Sequence, residues 1–250
     1  KTWNLNLVKK DFLKLSDLTK SEALDLPKKA ADLKEMRIKG ISHQPLKGKS
    51  LGMIFNKNST RTRISFEVGM FELGGHSLFL TPDQMQLGRG ETIADSARVL
   101  SRYLHGILIR TFNFKEAYEL AKNASIPVIN GLTDLNHPVQ VLSDLFTIQE
   151  KLGHVEGIKI AYIGDGNNVT YSWMTAAAMF DLELSIGCPK SCKPRSPDNL
   201  KIDGSVEITE DPITAVKDAD IIYTDVWVSM GQEETSDKVS LLKPYQINQS

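Results

Sequence analysis

The sequence predicts an α/β protein of two doubly wound domains with mainly parallel sheets. Two observations carry this. Short apolar runs of strand length alternate with longer stretches whose apolar residues recur at helical spacing, the pattern of βα units. The alternation also restarts: one set ends in a proline-led helical stretch over 138–152, and a second set opens near Gly157. At 250 residues the chain has the length for two modest domains.

In chain order, residues 17–39 carry a helical pattern, and Leu51-Gly52-Met53-Ile54-Phe55 reads as the first strand. A tight loop follows, Ser59-Thr60-Arg61-Thr62-Arg63, and Ile64, Val68 and Phe71 mark a helix over 65–73. Strands are predicted near 107–110 and 128–130, and helices over 92–104, 114–123 and 138–152. The last starts at Pro138, a residue suited to a first helical turn. In the second set, residues 158–163 form a buried-type strand, 164–168 a loop, and a helix runs on through Phe180. Further strands fit 182–186 and 221–224, while 189–203, rich in Pro, Lys, Ser and Asp, reads as a loop.

Composition excludes several classes. The hydrophobic fraction is 41% and the net charge −1, which argues against a nucleic-acid partner, since such partners select a basic excess. Cys188 and Cys192 are too few for a disulfide framework. With no second ligand pair, and with His105 and His154 at no matching spacing, no metal site is expected. No apolar stretch has membrane-spanning length, so no membrane partner is expected either. The first ten residues do not read as a signal peptide, and a cytoplasmic location is expected. Because the chain does not begin with Met, a removed leader and a mitochondrial matrix location stay open.

Five constellations could carry chemistry, each with a plainer alternative. Ser59–Arg63 sets two arginines and three hydroxyls at a helix N-terminus, where unpaired N–H groups and the helix dipole favour an anion; the plainer reading is a helix cap with surface arginines. Arg110 closes a buried strand, a costly place unless it meets an anion, or a structural carboxylate as the alternative. His137 and Gln140 flank one helix start and can address one small polar group, although a His there can also simply cap the helix. Gly164-Asp165-Gly166-Asn167-Asn168 lacks the G-x-G-x-x-G spacing of a dinucleotide turn, and Asp165 would repel a pyrophosphate. Its two amides suit a small zwitterion better. Asp225 ends a strand, and the segment to Gly231 offers a carboxylate, a hydroxyl and backbone donors for an amino acid; a helix cap at Asp225 and a packing role for Met230 are the alternatives. One half of the chain thus offers a phosphate site and the other an amino-acid site, which points to acyl-type transfer from a phosphate to an amine.

The motifs F-N-K-N-S-T-R-T-R (55–63), L-G-G-H (73–76), Q-L-G-R-G-E-T (86–92), A-R-V-L-S-R-Y (97–103), P-V-I-N-G-L-T-D (127–134), H-P-V-Q (137–140), G-D-G-N-N-V (164–169) and T-D-V-W-V-S-M-G-Q-E (224–233) stand in one order along nearly the whole chain. On these motifs the chain resembles the ornithine carbamoyltransferases. S-T-R-T-R and H-P-x-Q are shared with other carbamoyltransferases, whereas D-x-x-x-S-M-G points to ornithine rather than aspartate.

The resemblance implies a carbamoyl phosphate-binding domain over 1–137 and an ornithine-binding domain over 138–250, with the active site in the cleft between them. Ser59, Thr60, Arg61 and Thr62 would hold the phosphate. Arg110, His137, Gln140 and Thr62 would polarise the carbamoyl group, Arg110 and His137 as the catalytic pair. Gln86 would approach carbamoyl phosphate, in trimers of the family from a neighbouring subunit. Asn168, Asp225, Ser229 and Met230 would hold ornithine, whose neutral δ-amine attacks the carbonyl carbon to give citrulline and phosphate. No metal or organic cofactor is implied; a homotrimer or an assembly of trimers is, as is a step of arginine biosynthesis, the urea cycle or arginine degradation.

The sequence departs from the family pattern in places. The family's His-Cys-Leu-Pro segment falls beyond Ser250, and neither Cys188 nor Cys192 corresponds to its cysteine, because both precede D-x-x-x-S-M-G. The stretch 189–211 is short, and Asn58, His105 and Tyr171 replace the usual residues. Two accounts follow: these residues belong to a longer enzyme, or the chain is a non-catalytic carbamoyl phosphate-binding homologue. A third keeps the enzyme but changes the amine to putrescine or an acylated ornithine. Asp225 and Ser229 argue against putrescine, which has no α-carboxylate.

Overall fold

A computed structural model describes residues 9–86, 90–197, 204–228 and 236–248. In chain order its elements are α1 (Lys20–Ile38), β1 (Ser50–Phe55), α2 (Thr60–Glu72), β2 (His76–Leu80), α3 (Ile93–Tyr103), β3 (Gly106–Arg110), α4 (Phe114–Asn123), β4 (Val128–Leu132), α5 (Pro138–Leu152), β5 (Lys159–Ile163), α6 (Asn168–Phe180), β6 (Glu183–Gly187), β7 (Val206–Thr209), α7 (Pro212–Val216), β8 (Ile221–Tyr223) and α8 (Ser236–Leu242). They form two units. The first holds residues up to Leu13 and Met36–Leu132, and the second holds Lys14–Glu35 and the chain from Thr133 onward. Most of α1 therefore belongs to the second unit, where Lys20 pairs with Asp181 at 2.7 Å and Lys34 with Glu150 at 2.6 Å.

The sheet of the first unit is wholly parallel, in the order β2-β1-β3-β4. Alternation along the strands divides its apolar side chains between two covered faces, as a buried parallel sheet requires. Leu51, Met53, Phe55 and Leu108 face Phe66 and Met70 of α2. Ile54, Ile107 and Ile109 face Ala97 of α3 and Ala117 and Leu120 of α4. Ile64, Val68 and Phe71, the residues whose spacing marks the helix, lie on the exposed side of α2 instead. Between β3 and β4 the register slips: Ile109 faces Asn130 but Arg110 faces Leu132, which leaves Gly131 as the extra residue of a bulge. The bulge bends β4 at the point that faces Arg110.

The second sheet is also parallel, in the order β7-β6-β5-β8. Its central strand buries Ile160, Ala161, Tyr162 and Ile163, and α6 buries nearly every side chain from Val169 to Ala177. A helix apolar on all sides belongs inside.

The predicted α/β class and its core strands hold. The helix predicted over 65–73 begins five residues earlier, at Thr60, because the Ser59 hydroxyl caps the backbone N–H of Thr62 and brings S-T-R-T-R into the first turn. Four elements have no counterpart in the sequence reading: β2, β7, α7 and α8. Both strands are sheet edges with half-exposed side chains, so neither shows a buried run. Among the described residues no helix is long and apolar enough to cross a membrane.

The loop after β5 packs tightly on the chain around Cys192. Gly166 donates its N–H to the Cys192 carbonyl at 2.9 Å, and a Cβ at this glycine would stand 2.3 Å from that oxygen and 2.5 Å from the Pro194 nitrogen. Gly166→Ala is expected to cost about 1–3 kcal/mol by overpacking, read as a lower denaturant midpoint at unchanged slope. Cys188 is a free, buried thiol whose pKa burial pushes up to about 11. Because only the thiolate alkylates, folded protein near pH ~8 should leave Cys188 unmodified by iodoacetamide, with labelling rising as the medium becomes more alkaline; rapid labelling at the lower pH would contradict the burial.

Candidate active site

In each sheet the order of connection reverses at one place. After β1 the chain moves outward to β2 and then returns to β3 on the other side; in the second sheet it runs outward from β5 through β6 to β7 and returns to β8. Ligands of open parallel sheets bind beyond the carboxyl ends of the strands at such switch points. The residues singled out in the sequence follow these four strands: Ser59–Thr62 after β1, Arg110 at the end of β3, Asn168 after β5 and Asp225 after β8.

In the first unit Ser59 is extended, with φ −163° and ψ 120°, and its Oγ accepts from the Thr62 N–H at 3.2 Å. The amides of Thr60 and Arg61 lie outside the helix's own ladder, at its positive end. Thr60 and Arg61 are exposed, while Ser59 and Thr62 are half-buried. Arg110 lies level with Phe55 of β1 and is only 6% exposed. Its Nη1 donates to the Thr62 hydroxyl at 3.3 Å, while its Nε is buried without a hydrogen-bond partner. Burial holds the guanidinium pKa below its ordinary value. Among the described residues no carboxylate pairs with it, so the structural ion pair considered as an alternative is not formed.

Arg63, by contrast, is occupied locally: it lies over the Phe79 ring at 3.7 Å and pairs with Glu67 at 2.9 Å. Asn56 donates to Thr111 Oγ1 at 3.1 Å, and Thr111 in turn donates to Glu116, which pins the chain leaving β3. Gln86 is exposed, and among the described residues no hydrogen bond joins it to Ser59–Thr62 or Arg110.

In the second unit His137 occupies the N-cap position of α5. Its side chain makes no capping bond; its backbone N–H donates to Ser172 Oγ at 2.8 Å. Ser172 Oγ donates to the Asn168 carbonyl at 3.1 Å, so one buried hydroxyl ties the start of α5 to the start of α6. Asn168 also donates its Nδ2 to the Thr133 carbonyl at 2.6 Å, which leaves its side-chain oxygen as an acceptor. Gln140 donates to Asp144 at 3.0 Å.

Asn167, the N-cap of α6, accepts from the Val169 and Thr170 amides and donates its Nδ2 to Asp225 Oδ2 at 2.8 Å. The other Asp225 oxygen accepts from the Val226 N–H at 2.8 Å. Each oxygen therefore holds one bond and keeps a lone pair for a cationic ligand. Asp165 is paired with Lys238 at 2.8 Å. Ser229 and Met230 lie outside the described residues. Sequence reading missed Ser172, Asp144 and Tyr223, ordinary residue types at helix and strand positions. The N-cap role of Asn167 was open to it, since Asn directly before an apolar helical run is a capping signal.

Among the described residues no group of three or more His, Cys, Asp or Glu side chains is placed to hold a metal ion. The arrangement offers an anion site built from a helix start and an uncompensated guanidinium, and a polar site built from a positioned carboxylate and amides.

Comparison with known proteins bears on both. Residues 10–150 match the family model for the aspartate/ornithine carbamoyltransferase carbamoyl-P binding domain, and residues 156–250 match that for the Asp/Orn binding domain. The chain is 52% identical to an ornithine carbamoyltransferase of Syntrophus aciditrophicus, over 97% of this chain and 82% of the relative. It is 50% identical to one of Bacillus subtilis, over 97% and 77%. Among solved structures it is similar to the ornithine carbamoyltransferase of Pyrococcus furiosus, with a TM-score of 0.90 at 46% identity, covering 96% of this chain and 80% of that one. By the match of both family models and by these relatives, the chain belongs to the aspartate/ornithine carbamoyltransferase family.

Proposed function

We propose that the protein transfers the carbamoyl group of carbamoyl phosphate to the δ-amine of L-ornithine, releasing L-citrulline and phosphate. The observation that carries this reading is Arg110, a buried guanidinium at a switch point with a hydroxyl but, among the described residues, no carboxylate beside it. A dianionic donor supplies the missing charge. The alternative of a non-catalytic homologue is not favoured, since relatives named ornithine carbamoyltransferase match over 97% of the chain.

In this reading the start of α2, with Ser59, Thr60, Arg61 and Thr62, holds the phosphate through backbone amides, hydroxyls and one guanidinium. Arg110 and Thr62 address the carbonyl oxygen and the bridging oxygen, and His137 and Gln140 address the carbamoyl group from the start of α5. Asp225 receives the α-ammonium of ornithine, and Asn168, Ser229 and Met230 serve the rest of its α-carbon substituents. The neutral δ-nitrogen attacks the carbonyl carbon, the bond to the phosphate oxygen breaks, and the amine loses one proton as phosphate leaves. Orientation of two substrates and donors aimed at the developing oxyanion supply the acceleration. Gln86 is proposed as a further contact of carbamoyl phosphate, and domains divided near residue 137 as the donor and acceptor halves. A cytoplasmic setting in arginine metabolism belongs to the same proposal.

So does a homotrimer. Ile64 is 53% and Phe71 78% exposed, and with Val68 they form an apolar strip that association would cover. The solution mass by sedimentation is expected to be a multiple of three chains; a monomer would remove this part of the proposal.

The direct test is citrulline formation from carbamoyl phosphate and ornithine, and its absence in the intact protein would overturn the reading. Arg110→Met separates function from structure. Activity is expected to fall by about 10²–10³, the cost of one oxyanion donor. Thermal stability should hold or rise, because a desolvated, unpaired charge is removed. A large loss of stability instead would assign Arg110 to the scaffold.

A further inference from the structure

One group in the second unit has a setting that the transfer reading leaves unexplained. Asp144 stands one helical turn beyond Gln140 on α5, half-buried, with no Lys or Arg paired to it among the described residues. Its Oδ1 accepts from Gln140 Nε2 at 3.0 Å and its Oδ2 from the Tyr223 hydroxyl at 3.0 Å. Burial raises its pKa, while the bonds from Gln140 and Tyr223 pull the other way and the charge of Asp225 adds to the rise. A carboxylate so placed is costly, and a neutral side chain of the same shape would fill the space as well.

An ionised carboxylate differs from that neutral replacement in one respect: it only accepts hydrogen bonds. A glutamine amide has a donor end and an acceptor end, and nothing in its shape selects between them. Facing an acceptor-only partner, Gln140 must turn its Nε2 inward, which presents Oε1 outward. The carbamoyl group of the donor carries an NH2, which needs an acceptor. The opposite amide orientation would set donor against donor.

We infer that Asp144 is a positioning residue that fixes the amide of Gln140 with its oxygen toward the carbamoyl NH2, and that Tyr223 holds Asp144 in place from β8. This rests on the carbamoyl-transfer reading. The aromatic packing fits such a role: Tyr223 stacks on Tyr162 at 5.5 Å and 19°, and meets the edge of Trp173 at 5.6 Å and 68°. Tyr162 in turn donates to Asn167 at 3.2 Å, and Asn167 holds Asp225. One pair of stacked phenols thus braces both the amide assigned to the carbamoyl donor and the carboxylate assigned to the amine acceptor.

The test is a double-mutant cycle on citrulline formation by the full chain, with melting temperature followed in parallel. Asp144→Leu is expected to lower kcat by about 10²-fold, the scale of a misplaced group, and to change KM for carbamoyl phosphate less, since the phosphate is held in the other unit. In a Gln140→Ala background the same substitution should cost less than about threefold, because a residue that acts through Gln140 has nothing left to position. Asp144→Asn keeps the shape and guards against a variant that does not fold. It should lose less than Asp144→Leu, and that loss too should disappear in the Gln140→Ala background. Equal losses in both backgrounds, or a kcat unchanged by Asp144→Leu in an otherwise active protein, would overturn the inference. Failure of the unmodified protein to form citrulline overturns the transfer reading itself, and this inference with it, before any variant is compared.

Discussion

The first unit is organised around a charge that no carboxylate among the described residues neutralises. Arg110 is carried inward by β3, a strand whose preceding residues Ile107, Leu108 and Ile109 are buried. The bulge at Gly131 of β4 lies across from it, and the Thr62 hydroxyl is the one hydrogen-bond partner of its side chain among the described residues. A guanidinium in that position raises the energy of the empty protein relative to one with an apolar residue there. Parallel pairing of β1 with β3 brings Ser59–Thr62 and Arg110 to the same end of the same sheet, so the cost is concentrated where an anion would relieve it. Such concentration of strain or uncompensated charge is characteristic of binding sites rather than of scaffolds.

The second unit solves a different problem. Several of its described polar groups are matched to one another. The Thr133–Asn136 turn is closed by a hydrogen bond of 3.0 Å between its buried side chains, Ser172 bridges two helix starts, and Asn167 caps α6 while gripping Asp225. Asn168 and Asp225 keep acceptor capacity beyond the bonds that hold them. The result is a set of side chains with fixed direction and residual capacity, which is what recognition of a small zwitterion requires. The contrast between an uncompensated cation in one unit and a satisfied network in the other mirrors the chemistry proposed for them, a highly charged donor and a nearly neutral acceptor.

Much of this was legible in the sequence because helix starts and strand ends are written in local residue types. S-T-R-T-R after an apolar run, Pro138 after His137, and paired amides after 158–163 each identify a strand end or a helix start without tertiary information. What stayed illegible was of two kinds. Edge strands such as β2 and β7 lack a buried face on both sides, so no apolar run announces them. The partners of functional groups are remote in sequence: Tyr223 reaches Asp144 across 79 residues and Asn167 reaches Asp225 across 58. No spacing rule spans such distances. The inner face of α2 was illegible for a further reason. Ile64, Val68 and Phe71 give the helical period, but Phe66 and Met70 have it too, and it is they that occupy the face toward the sheet.

The place of β8 in the second sheet has a consequence for biogenesis. β8 pairs with β5, which lies roughly sixty residues earlier, so the strand that carries Tyr223 and leads into Asp225 can join the sheet only after β5, β6 and β7 have emerged from synthesis. Contacts of such long separation are slow to form. Until that strand docks, β5 exposes the edge on which it will pair, and an exposed edge is where wrong partners add. Ornithine held at Asp225, as proposed, would recognise only a sheet in which β8 is in place. On the proposed reading such a substrate would act as a folding ligand as well, drawing the population of nascent chains toward the state in which β8 is docked on β5.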